Sequence, residues 1–462
     1  MLKKILFLIL LVVELSSCNR SVEQQILLPS KFPSSTKDYK PVAHLPYVAW
    51  WQQFNDVELN QLIEAGLHNN MDIHIAIGNL QQAQGELQQV RLSWLPLVQI
   101  LAGYSTNPAL GAPGAFYGVW PYYFVNIMKL YTQQKQAKYN VQFYHAAIEG
   151  MRLALIGQVA SAYFTLIAQL EQLKLLQQLD SDLKSLIKLS QGDIRIGLEN
   201  EITLAQLKTD ERLIAAQIKP ILHNIVLSEN ALRYLINENP GKINNKNNFT
   251  KIDFSRFKPG SLPATVLNNR PDLKMAYYAL KASHAGIQVA YSDFFPGLQL
   301  DNFLGEVDLP SSNFADSSDA YVNWTIAPST LGKIAASKGA YNATAAELNK
   351  TIRRILKEVD SDYSANKRMN EKFIAYLRAE KDYRHKYKLQ QGLLSTGLLS
   401  YKELLQSKIY LDNLALSTNQ AKLELAMSLV ILYQDLAGGY AYNSTVLGNA
   451  CLDATKCNQE LG

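Results

Sequence analysis

Three cysteines carry most of the reactive chemistry open to this chain, and their positions divide them. Cys451 and Cys457 stand six residues apart near the C-terminus. That spacing admits a small-loop disulfide in an oxidising compartment, or else a pair of free thiols. A metal site needs more ligands than this tail offers. The seven histidines are scattered, and His68 and His74 would fall on different faces of a helix. There is no Gly-Lys-Ser/Thr phosphate loop and no Gly-x-Ser-x-Gly nucleophile elbow. The residues predict no catalysis, no cofactor and no internal energy source.

Cys18 reads differently. Lys3 and Lys4 precede the apolar run Ile5–Val13, which is too short to be a permanent membrane span, and Leu15-Ser16-Ser17-Cys18 follows. The quartet resembles the lipobox of bacterial lipoproteins, in which the cysteine is acylated before the leader (residues 1–17) is cut away. The plainer alternative is a secretory signal with an incidental cysteine. Asn19 is not the aspartate that resembles an inner-membrane retention signal, so the outer membrane is the expected destination. No run of 18 apolar residues follows the leader, which predicts no transmembrane helix.

These residues must be carried by a framework, and the framework is written twice. Asn269, Asp272, Ala276, Leu280, Gln288, Pro296 and Gln299 repeat Asn69, Asp72, Ala76, Leu80, Gln88, Pro96 and Gln99 at a constant offset of 200. The same offset relates Gly397-Leu398 to Gly197-Leu198, Leu404 to Leu204, Lys408 to Lys208 and Leu432 to Leu232. One offset held over roughly 160 residues predicts two fused, quasi-equivalent halves, since the period is too long for a solenoid. The expected layout is a lipid tether and N-terminal segment (18–68), repeat 1 (69–240), a linker (241–267), repeat 2 (268–440) and a tail (441–462).

Each repeat opens on a helix, with Asn70 as N-cap of the first, and closes it at a proline, Pro96 or Pro296. Strands are expected beyond, over Leu97–Tyr104 and Val119–Leu130 (within 97–130), then Leu298–Val307 and Ala320–Ser329 (within 298–329). Very long helices follow, over Thr132–Gly192 and Gly339–Gln391. Each has a returning partner, Glu201–Asn237 and Ser400–Leu436, and Pro220 should interrupt the first return. Leucines recurring at three and four from Leu166 to Leu186 make a coiled-coil seam. The net charge of +5 is dispersed, with no basic cluster for nucleic acid.

The order of these features resembles the TolC-like outer-membrane factors, in particular the OprM-type or NodT-type efflux lipoproteins. The resemblance rests on Trp51, Phe54 and Asp56, on Asn268-Asn269-Arg270-Pro271-Asp272, and on Phe294-Phe295-Pro296. It also rests on Gly397–Ser400 and on Leu432 with Leu436-Ala437-Gly438-Gly439-Tyr440. It implies an α+β membrane protein of long periplasmic helices and four transmembrane strands per chain, twelve per homotrimer. It further implies a passive channel working with a periplasmic adaptor and an inner-membrane pump, the RND type ahead of ABC or MFS types.

By the same resemblance, Gly197-Leu198 and Gly397-Leu398 would form the periplasmic tips where the adaptor docks. Glu403 would take the first acidic gate position, with Gln406 at the second, where relatives carry another acid, and Lys402 beside it. A solvated helix charge is the simpler reading of Glu403. Asn126–Tyr131 lacks the aspartate and glycine that relatives place after the second strand. Two rivals stand beside the efflux duct. One is an exit duct for type I protein secretion, and the other a coiled-coil periplasmic lipoprotein with no channel.

Overall fold

A computed structural model of the chain describes residues 28–35, 39–42, 44–105, 114–244, 249–254, 257–307 and 313–442. Cys18, Cys451, Cys457 and the leader lie outside the described residues. A short helix α1 (Val57–Asn69) leads into α2 (Met71–Leu92), and strands β1 (Leu97–Ser105) and β2 (Gly114–Val125) follow. The long pair α3 (Ile127–Arg195) and α4 (Glu201–Leu235) completes the first half. After the short α5 (Pro263–Asn269) the plan recurs in α6 (Pro271–Ser292), β3 (Gly297–Val307) and β4 (Asn313–Asn323). It ends in α7 (Ser329–Ser395) and α8 (Tyr401–Asp435). At ~1.5 Å per residue, α3 and α7 each extend about 100 Å.

Local chemistry explains the helix ends. Asn70 accepts from the Asp72 and Ile73 amides, Asn200 from Thr203, and Ser400 forms a reciprocal capping box with Glu403. Gly197 and Gly397 close α3 and α7 at φ 76° and 75°. In each case the next leucine amide reaches back five residues, Leu198 to Asp193 O at 2.8 Å and Leu398 to Leu393 O at 2.9 Å. This Schellman closure needs the left-handed conformation that glycine adopts without strain.

The four strands form one antiparallel sheet in the order β1-β2-β3-β4, so the β2–β3 ladder joins the two halves. The main core lies around the middle of the long helices. There Trp50 stacks on Tyr433 at 4.8 Å and 6°, and buried Tyr163 donates to Asp56 Oδ2 at 2.7 Å. Asp56 also accepts from the Leu59 amide and so caps α1. A Cβ on Gly439, whose φ is 86°, would lie 2.4 Å from the Trp51 ring. The two ends of the described chain are thus one packing unit.

Several expected boundaries are corrected. The second strand is Gly114–Val125, not Val119–Leu130, and α3 starts at Ile127 instead of near Thr132. Asn126 sets that border: its Oδ1 accepts from the Lys129 amide (2.9 Å) while its Nδ2 donates to Ser292 O and Phe295 O (3.0 and 2.9 Å). It fills the cap that the missing aspartate left open and ties the first repeat to the second. The fourth strand is Asn313–Asn323, not Ala320–Ser329, and α7 starts at Ser329 instead of Gly339. Its ladder to β3 is continuous from Val307↔Asn313 to Gly297↔Asn323 despite the Asp/Ser content. Helix α4 runs through Pro220 without a break. Among the described residues one helix, α3, is long and apolar enough to cross a membrane, contrary to expectation. Most of that stretch is buried in the core, with Val159, Ala160, Tyr163 and Phe164 fully covered, which accounts for its apolarity without a bilayer.

Candidate functional site

Strand alternation gives the sheet two unlike faces. One carries Val98, Ile100, Val119, Leu298, Leu300 and Val322, all exposed, with Ile100 at 83%. The opposite face carries Gln99, Tyr122, Gln299, Asp301 and Asp319, with Phe303 lying across Gly118 and Gly305. An apolar face of this height belongs against hydrocarbon and the mixed face against a water-filled interior. Pro96 stands between Leu92 and Leu97, and Pro296 between Ser292 and Gly297, so each proline lies where helix passes into strand. Just below, Asp293 accepts from Lys129 and Lys333, both at 2.8 Å.

The far ends of the helices form two hairpin tips. Leu198 and Leu398 are 76% and 75% exposed, one at each turn. A Cβ at Gly197 or Gly397 would touch nothing within 4 Å, so backbone conformation alone selects glycine there. The Glu403 carboxylate is occupied by Ser400, from whose amide it accepts at 3.0 Å and from whose hydroxyl at 2.9 Å. Those two bonds hold it below the usual carboxylate range.

Sequence reasoning missed the ionic link between the tips. Lys402 of α8 lies 2.8 Å from both Asp193 Oδ2 and Glu199 Oε2 of the first hairpin. Glu199 also accepts from Ser190 Oγ at 2.5 Å. Lys402, then Ser190, lowers the Glu199 carboxyl, and the two acids raise the Lys402 amine. Two turns further along α8, Lys408 binds Asp412 (2.5 and 2.7 Å) and reaches Asp182 of α3 at 3.4 Å. Burial pushes Asp412 up to about 6, against the opposing hydrogen bond from Lys408. The only advance signal was the presence of Asp193 and Glu199 around Gly197, whose counterparts in the second repeat are Leu393 and Leu399.

A second polar centre lies at the base of α6. Arg270, 7% exposed, forks onto Asp272 (3.0 and 2.9 Å) and donates through Nη1 to the Asp435 carbonyl (3.0 Å) and Oδ1 (3.2 Å). Glu358 lies 3.5 Å from the same guanidinium. Burial, then its hydrogen bond to Asp435, raises Asp362 to about 8. Among the described residues no group of three or more His, Cys, Asp or Glu could hold a metal ion.

Paired long helices that turn at exposed tips and run into a two-faced sheet define an outer-membrane channel. The family model of outer membrane efflux proteins matches residues 262–438. It is 25% identical over 423 residues to the toluene efflux pump outer membrane protein TtgC of Pseudomonas putida, covering 87% of each chain. It is 21% identical over 454 residues to the cation efflux system protein CusC of Escherichia coli, covering 92% of this chain and 96% of that one. The fold matches the outer-membrane channel OprN at a TM-score of 0.74 and 21% identity, covering 91% of this chain and 99% of the other. The open-state MtrE channel of Neisseria gonorrhoeae matches at 0.74 and 20%, covering 90% and 98%.

Proposed function

We propose that this chain is the exit duct of an envelope-spanning efflux pump, in which three copies enclose one channel and small toxic molecules leave passively. The carrying observation is the open sheet. Among the described residues β1 and β4 each have one unpaired edge, and hydrocarbon offers such edges no hydrogen-bond partner. Further copies must supply the partners, and three copies of four strands give a closed barrel of ordinary size. The long helices continue the wall into the periplasm. Their tips, with exposed Leu198 and Leu398, are the docking points for an adaptor that couples the duct to an inner-membrane pump of the RND type. Lys402 with Asp193 and Glu199 is a latch between the hairpins of the resting duct, while Glu403 serves as a helix cap. Cys18 carries the lipid anchor.

The reading is tested by measuring the mass of the purified protein in detergent and its conductance in planar bilayers. Three copies and discrete pores are expected. A monomer that forms no pore would end the proposal. Deleting the gene should sensitise cells to solvents, dyes or metal ions, whereas loss of a secreted protein with unchanged sensitivity would assign the duct to secretion.

A further inference from the structure

The two strand hairpins share one antiparallel plan but differ in electrostatic character. β1 and β2 contain no ionisable acid or base other than tyrosine, whereas β3 and β4 contain Asp301, Glu306, Asp316 and Asp319. None of the four strands contains Lys or Arg. Register then decides where the acids point. Asp301 is the partner of Tyr122 on one side and of Asp319 on the other, so the three share one row of the mixed face. Glu306 and Asp316 belong to the apolar face toward the outer rim, where Glu306 accepts from Tyr117 and Asp316 lies 3.5 Å from Asn302 Nδ2.

Two carboxylates directly opposite each other repel, and a folded sheet keeps such a pair only where water or passing cations relieve it. Asp301 accepts from Gln299 at 3.1 Å, a neutral donor that leaves its charge uncompensated. Asp319 is exposed. Two of the rings on this face are turned onto glycines, Phe303 over Gly118 and Gly305 and Phe124 over Gly297, while Tyr122 and Tyr321 flank the acids without a charge of their own. The nearest lysines along the chain below the strands, Lys129 and Lys333, are engaged by Asp293.

We infer that Asp301 and Asp319 form a cation-selective ring inside the membrane barrel, contributed wholly by the second repeat. This rests on the channel reading above. With every subunit adding two carboxylates at one level, the barrel attracts cations and repels anions independently of the periplasmic tips. The transported class it favours is positively charged or neutral solutes over anionic ones.

The test is the reversal potential of the full-length protein in planar bilayers under a KCl gradient at about 0.1 M mean salt. There the screening length is about 10 Å and ring charges are felt across a pore. Wild type should prefer K⁺. The double variant Asp301→Asn with Asp319→Asn should lower the K⁺/Cl⁻ permeability ratio at least about twofold toward unity, each single variant giving an intermediate value. At about 1 M salt the difference should vanish, because screening shortens to about 3 Å. Glu306→Gln, on the apolar face, should leave the ratio unchanged. An unchanged ratio in both single variants and the double variant overturns the inference, as does a ratio that collapses only on Glu199→Gln at the tip. Absence of any wild-type pore would instead overturn the channel reading itself, together with the ring.

Discussion

Asn70 and Arg270, 200 positions apart, perform the same act: each donates to the last-turn carbonyl of the long helix that returns beside it. Asn70 Nδ2 reaches Leu235 O at 2.9 Å, and Arg270 Nη1 reaches Asp435 O at 3.0 Å. Each joins the start of a rising helix to the end of the returning one, so the repeat is a repeat of joints as well as of helices. The joints differ in cost. Asn70 is neutral, whereas Arg270 is a buried cation that needs Asp272, Asp435 and Glu358 around it.

Removing Arg270 should therefore be far more damaging than removing Asn70. Arg270→Met leaves Asp435 without its cation and Arg354 alone to hold Asp272 and Glu358, and breaking a buried pair in this way costs about 3–5 kcal/mol. Asn70→Ala loses a cap and one hydrogen bond, about 1–2 kcal/mol. Thermal unfolding of the purified variants checks the order. Equal losses would mean that the Arg270 cluster is solvated and not a joint.

Much of this architecture was legible because helix caps and glycine turns are local signals. Asn70, Gly197, Gly397 and Ser400 mark their helix ends within one turn of sequence. The strands were harder for a physical reason. Asn313–Asp319 has the composition of a loop, yet it pairs fully with β3, since a strand facing water on one side needs little apolar residue there. Ile127–Tyr131 has the composition of a strand, and only Asn126, bonded to Ser292 and Phe295 in the other repeat, makes it helix. The Lys402 link was illegible for the same reason, as its partners lie more than 200 residues away.

Asp362 should reveal itself through pH. Its carboxyl is raised to about 8 by burial and by Asp435, so the folded protein holds a proton there that the unfolded chain releases near pH 4. A raised acid contributes stability at low pH that is lost as pH climbs, here between about 4 and 8. Asp362→Asn keeps the shape and cannot ionise. The variant should match wild type at or below about pH 4 and become the more stable of the two toward pH 8. Parallel stability profiles across that range would show that Asp362 titrates normally.

The turn glycines offer a test free of packing effects. Gly397→Ala introduces a side chain into open space but at φ 75°, where a Cβ costs about 1–2 kcal/mol. Because the tip makes few other contacts, hydrogen exchange should speed up in Ser395–Leu398 while the melting of the whole protein stays nearly unchanged. Gly197→Ala should do the same in the first repeat. A large fall in global stability from either would mean that the tips nucleate the long helices.

Lys402 should affect conduction far more than stability. The link is half-buried and confined to the tips, far from the main core, so Lys402→Met should scarcely change the melting temperature. The same pair is nevertheless the junction of three segments, since one amine holds Asp193 and Glu199 on either side of Gly197 and is itself carried by the second hairpin. Releasing it frees two tips to separate, and the variant should show longer or larger openings in planar bilayers. The pH sign follows from Glu199, which Lys402 and Ser190 hold below the usual carboxylate range. A lowered acid supports the link above its ordinary value and fails only as pH falls through the lowered one. Wild-type openings should thus stay constant from neutrality to about pH 5 and increase only below the ordinary carboxylate range of about 4. The Lys402→Met variant, open already, should show no such acid step. If both proteins gate alike at every pH, the latch lies elsewhere along the hairpins.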